Sequence, residues 1–217
     1  MSIVFLQHNK IALALHKVRE GNGRALLLLH GLGEDAAAMS TLSINWTGPI
    51  WALDFTGHGQ STVPAGGGYS CEILMADADI ALRHLGEATV VGRGIGAYIA
   101  FLIACARPSL VRGAVLLDGP GLSGGPVHVT STPEIPTAGE REGTAPDPWA
   151  LIELSRDARP QNYVLTFLRI AISDSKIDEP ISVVCKVTPP WIEAIRAEAG
   201  VLTDVNMQDA LDIYAEV

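Results

Sequence analysis

The sequence predicts an α/β fold with a mostly parallel central sheet and helices on both faces. Two observations carry that expectation. Short apolar runs of strand length, such as Leu26-Leu27-Leu28-Leu29, alternate along the chain with longer stretches of helical period. A glycine-rich turn, Gly92-Arg93-Gly94-Ile95-Gly96, leads directly from one such run into a stretch that is apolar on nearly every face. A helix of that composition belongs against the middle of a sheet.

Taken in order, Ile3 to Gln7 and Ile11 to Val18 read as a hairpin across the turn-prone His8-Asn9-Lys10. Buried strands are expected at 25–30, 49–54, 89–92, 114–118 and 181–187. Ser70 is placed to cap a helix whose Leu74, Ala78, Ala81, Leu82 and Leu85 share one face. The apolar helix runs from Ile95 to Ala106, and Pro108 ends it just beyond Arg107. Residues 119–148 are rich in Gly, Pro, Ser and Thr and read as a loop or lid. Helical patterns follow at 149–155, 162–172 and 208–216. The chain therefore divides into a first core part (1–118), a lid insertion (119–180) and a returning core part (181–217), with no internal repeat.

Composition excludes several function classes. A chain of 217 residues suits one domain, and folding at that size buries roughly 70% of the unfolded surface. The net charge of -9 and pI near 5.0 argue against nucleic acid or an anionic membrane as partner. No apolar run approaches the ~20 residues of a membrane span. Cys71, Cys105 and Cys185 are odd in number and far apart, giving neither a disulfide framework nor metal-ligand spacing. The start, Met1-Ser2-Ile3-Val4-Phe5, lacks the pattern of a secretory signal. The expectation is a cytoplasmic protein without metal or cofactor.

Three separated motifs carry a resemblance. Leu29-His30-Gly31-Leu32-Gly33 closes a strand with a His-Gly turn, Asp54-Phe55-Thr56-Gly57-His58-Gly59-Gln60-Ser61 forms a second turn, and Gly92-Arg93-Gly94-Ile95-Gly96-Ala97 a third. In this order they resemble the α/β-hydrolase family, whose fold adds a small lid to the sheet described above. Ala104-Cys105-Ala106-Arg107-Pro108 and Val115-Leu116-Leu117-Asp118 continue in its style, so the likeness covers about residues 10 to 120.

The family's chemistry needs Gly-x-Ser-x-Gly at the third turn, a nucleophile elbow. Here the central residue is Gly94, which has no side chain. The family's general base is a histidine after the last strand, yet the six histidines (His8, His16, His30, His58, His84 and His128) all lie at or before 128. Thr188-Pro189-Pro190 follows the strand that usually precedes the triad acid, and Asp118, an alternative acid position, has no histidine to orient. Removing nucleophile or base alone costs about 10⁶ in turnover in a well-studied serine protease. His30 and His58 read as structural hydrogen-bonders, and Asp54 as a brace for its own turn.

The resemblance also places an oxyanion hole at the backbone N–H groups of Leu32 and Ile95, with Gly33 and Arg93 beside them. Asp118, Cys185, Trp149 and Trp191 are candidate pocket residues. Because Gly94 has no side chain, extra space for a ligand is expected there. Three readings follow. The first is a non-catalytic protein that binds a small carbonyl or carboxylate compound, or serves as a scaffold for a protein partner or a second copy. The second is a weak or atypical hydrolase or lyase, using Asp118, Cys185 or a lid residue such as His128. The third is dinucleotide binding, because Gly92-Arg93-Gly94-Ile95-Gly96-Ala97 also fits Gly-x-Gly-x-x-Ala.

Overall fold

A computed structural model describes residues 2–122, 145–155 and 160–217. Its strands are β1 (Ser2–His8), β2 (Ile11–Arg19), β3 (Ala25–Leu29), β4 (Ile50–Leu53), β5 (Ala88–Arg93), β6 (Val111–Leu117), β7 (Ile181–Val183) and β8 (Val201–Leu202). The helices are α1 (Ala36–Ser40), α2 (Cys71–Leu85), α3 (Ile95–Ala106), α4 (Pro148–Ser155), α5 (Gln161–Asp174), α6 (Pro190–Arg196) and α7 (Met207–Ala215).

The strands form one sheet in the order β1-β2-β4-β3-β5-β6-β7-β8. The β1–β2 and β2–β4 pairs are antiparallel and the others parallel. Strand β3 shows why the apolar runs are continuous. Leu27 and Leu29 join the cluster built with α2 and α3, while Leu26 and Leu28 join the cluster of α1 and α7 on the opposite face. Both sides of the pleat are buried, so no polar alternation survives.

Local chemistry sets the element ends. Ser70 accepts a hydrogen bond from the Ile73 N–H and starts α2 as expected. The strand expected at 181–187 stops at Val183, because the Asp118 carboxylate accepts the N–H groups of Lys186 and Val187 and draws that backbone into a loop. Three short elements were not expected: α1, capped by Asp35; α6, which opens on Pro190; and the two-residue β8.

The segment 119–180, expected as an insertion, supplies α4 and α5. Their Ala150, Leu154, Val164, Leu168 and Ala171 are buried in the same cluster as α3. Residues 123–144 and 156–159, and with them His128, lie outside the described residues. No helix among the described residues is long and apolar enough to cross a membrane.

Candidate functional site

Four parallel strands, β3 to β6, end along one edge, and the turns leaving them converge there. The β5–α3 turn is held by backbone proximity. Gly94 adopts φ 57°, ψ -122°, a conformation that favours glycine. A Cβ on Gly92 would collide with the Gly96 carbonyl, and one on Gly96 with the Leu29 carbonyl. The tight turn therefore needs glycine at both flanking positions, whatever stands between them.

The N–H groups of Leu32 and Ile95 do converge on a single oxygen, which belongs to the chain itself. The Pro120 carbonyl accepts from Leu32 at 2.9 Å and from Ile95 at 3.0 Å. The Gly94 N–H in turn donates to the Leu117 carbonyl at 3.1 Å. The segment Gly119-Pro120-Gly121, leaving β6, thus lies across the elbow and satisfies its donors.

The expected space at Gly94 is therefore absent. A Cβ there would lie inside contact distance of the Pro120 oxygen and the Gly119 carbonyl carbon. What remains beside Gly94, bounded by Leu117, Asp118, Leu122, Cys185 and Trp191, is a gap of about 10 Å³. A water needs at least roughly that much.

The other expected site residues have structural engagements. The Gly33 N–H donates to His58 Nε2 at 3.3 Å. Arg93 faces Glu34 at 3.4 Å, and Glu34 also accepts the Gly31 N–H. Both Asp118 oxygens are taken by the Lys186 and Val187 N–H groups. Cys185 donates to the Leu116 carbonyl, and burial, reinforced by the Asp118 charge, pushes its thiol up to about 12, so it is no thiolate near neutrality. Trp191 packs edge-on against Tyr98 at 5.1 Å and donates to the Leu122 carbonyl. Trp149 is not with this group: it lies beside Gly67, and its N–H donates to Asp147.

The two motif histidines use both ring nitrogens. His30 Nδ1 donates to the Gly31 carbonyl, and its Nε2 accepts the Phe55 N–H at 3.1 Å. His58 Nδ1 donates to the Thr56 carbonyl while its Nε2 accepts from Gly33. Burial, with the neighbouring His58 adding to it, lowers His30 to about 3. Burial likewise lowers His58, against the Thr56 carbonyl and nearby carboxylates. Neither ring has a free nitrogen to act as a base.

Asp54 is the hub of its turn. Its Oδ1 accepts the Ala36 N–H at 2.7 Å, and its Oδ2 faces both the Gln60 N–H and His16 Nε2 at 2.8 Å. Its carbonyl accepts the Ser61 hydroxyl at 2.6 Å. After β8, the connection 203–206 contains no histidine. Among the described residues, no group of three or more His, Cys, Asp or Glu side chains could hold a metal ion.

The residue that sequence reasoning missed is Pro120. Gly-Pro-Gly after a strand signals a sharp turn, but which donors its carbonyl meets is a long-range outcome.

A model of the alpha/beta hydrolase family matches residues 26–207. An esterase of Mycobacterium tuberculosis is 33% identical over 100 residues, covering 45% of this chain and 34% of the relative. The (E)-2-((N-methylformamido)methylene)succinate hydrolase of Acinetobacter baylyi is 30% identical over 119 residues, 52% of this chain and 43% of its own. Each match thus spans less than half of the relative. A membrane phospholipase A, described as a bacterial virulence factor, has 16% identity and a TM-score of 0.55, covering 99% of this chain and 81% of that one. That last likeness concerns the fold alone.

Proposed function

The chain belongs to the α/β-hydrolase family, and on that premise we propose that it is a non-catalytic member, a partner-binding scaffold whose family site is held shut by its own main chain. The observation that carries this reading is the Pro120 carbonyl, which accepts from Leu32 and Ile95 together. In the family's chemistry those donors stabilise a developing oxyanion. Here an uncharged carbonyl of the same chain satisfies them. A ligand carboxylate would have to displace that carbonyl and the backbone around it, which counts against carbonyl or carboxylate binding at the elbow. Gly94 offers no nucleophile, and His30 and His58 offer no base.

The outer edge of the sheet suits a scaffold. Strand β1 has no charged or proline residue among Ser2-Ile3-Val4-Phe5-Leu6-Gln7, and leaves Phe5 58% exposed. A second copy of the chain or a protein partner is the occupant that such an edge accepts. A cytoplasmic setting accords with three free, buried cysteines, and the net charge of -9 keeps nucleic acid out of the reading.

The reading as a weak or atypical hydrolase or lyase draws on the names of both relatives. It requires Gly119–Gly121 to leave the elbow and a nucleophile from elsewhere. Dinucleotide binding has less support, because Pro120 takes the Ile95 N–H that would face a pyrophosphate. The test is hydrolysis of 4-nitrophenyl butyrate by the purified protein, together with labelling by a fluorophosphonate probe. We expect neither a burst nor a label. A burst of one equivalent per chain, persisting through further purification, would overturn the proposal.

A further inference from the structure

A second cavity shares no lining residue with the closed elbow. Its volume is about 400 Å³, and its walls include His8, Ile11, Thr56, Pro64, Tyr69 and Ile73. That volume lies within the range of small-molecule sites, roughly 300–1,000 Å³. The cavity sits where the end of β1, the turn after β4 and the start of α2 meet.

Its walls are held in place. The Tyr69 hydroxyl donates to the buried Asp147 carboxylate at 2.7 Å, and Glu153 of α4 accepts the Gly68 and Tyr69 N–H groups. Gly57, at φ 78°, lies so close to the Tyr69 ring that a Cβ would collide with it. The loop over the cavity is thus fastened from two sides.

One chemical feature stands out. Asp77, in the middle of α2, is fully buried. Such a group is costly unless its oxygens are engaged. Its Oδ1 meets His8 Nδ1 at 2.6 Å, and its Oδ2 accepts the Thr56 N–H at 2.8 Å. These bonds tether β1 and the β4 turn to α2. The tether uses only one ring nitrogen of His8, whose side chain is 20% exposed at the cavity wall. Its Nε2 has no protein partner among the described residues. A buried carboxylate that fixes one imidazole nitrogen also fixes the ring, and so directs the other.

We infer that this cavity binds a mainly apolar small molecule bearing one hydroxyl group, with the hydroxyl on His8 Nε2 and the hydrocarbon against Ile11, Pro64, Tyr69 and Ile73. A hydroxyl suits this nitrogen in either protonation state, since it can donate to a lone pair or accept from an N–H. The reading does not depend on the elbow: an active or an inactive family site leaves it unchanged.

The test uses the whole protein labelled with ¹⁵N-histidine, titrated with 4-propylphenol and separately with propylbenzene. His8 is assigned by its absence in His8→Asn. The phenol is expected to bind saturably, to shift the His8 Nε2 resonance without moving those of His30 and His58, and to bind at least about fivefold tighter than propylbenzene, the worth of one net hydrogen bond. His8→Asn, whose amide can still donate to Asp77, should abolish the preference for the phenol. Ile73→Trp should fill the cavity and abolish binding of both compounds. Equal affinity for the two compounds, no saturable binding, or unchanged phenol binding in Ile73→Trp would overturn the inference.

Discussion

The turn from Asp54 to Ser61 and the turn from Gly92 to Gly96 carry comparable family motifs, yet they are built from different atoms. In the first, side chains do the binding: the Asp54 carboxylate, the His58 imidazole and the Ser61 hydroxyl, joined by the His16 and His30 rings from outside the turn, make the bonds of a largely buried knot. In the second, the side chain at the centre is absent, and main-chain donors meet a main-chain acceptor. The first turn is a fold determinant that happens to look like a motif of function. The second keeps the backbone form of a catalytic turn, which chemistry alone would not require. A family signature can therefore be legible at full strength in positions that hold the fold while saying nothing about turnover.

The comparison breaks first at Asp54. Asp54→Ala strands the buried Ala36 N–H and the buried His16 ring nitrogen, and takes the acceptor from the part-buried Gln60 N–H. Each buried unsatisfied group costs about 1–3 kcal/mol, so the loss should be on the order of 4 kcal/mol. Denaturant midpoints at equal slope measure it. A loss under about 1 kcal/mol would mean that the turn is held by something other than its aspartate.

At the elbow, Gly94→Ser should destabilise by about 3 kcal/mol. Strain at this backbone conformation contributes on the order of 1–3 kcal/mol, and the new Cβ must also move Pro120 off two N–H groups, each bond worth about 0.5–1.5 kcal/mol. Ester turnover should stay at background, because no free base stands nearby. Unchanged stability would show that Gly119–Gly121 yields readily, and efficient turnover would show a base within reach of residue 94.

The smallest effect, and the one that sharpens the contrast, is in pH. His30 is neutral in the folded protein, at about 3, against an unfolded value near 6.5. Between those values the unfolded chain binds the extra proton, so stability rises with pH and falls on acidification. The contribution is intact above about pH 6.5 and is lost by about 1.4 kcal/mol per unit below it, giving on the order of 2 kcal/mol by pH 5. His58 acts in the same direction. Asp77, raised by burial, acts in the opposite one, because the folded protein keeps a proton that the unfolded chain has released. The two histidines act together on acidification and Asp77 opposes them. Urea midpoints at pH 7 and pH 5, measured for the protein and for Asp77→Asn, separate the two contributions, and a midpoint that does not fall in Asp77→Asn would mean that the two imidazoles are solvated.

The sequence by itself determined the layers. Leu26 to Leu29 is apolar at every position because both faces of β3 are covered, and Ile95 to Ala106 is apolar all round because α3 is enclosed. Local chemistry on the same scale placed the Ser70 cap and exposed the missing side chain at Gly94. The ends of β7, the elements α1, α6 and β8, and the fate of the elbow were not legible. Each depends on a bond between residues far apart in the chain or on an element too short to show a period. Asp118 halts β7 across 68 residues of sequence, and Pro120 meets Leu32 across an even longer interval. Composition and periodicity report which surfaces must be buried, since burial is a property of each residue type. Only the tertiary structure decides which carbonyl fills which donor, because a hydrogen bond is directional and its partner is chosen by the path of the whole chain.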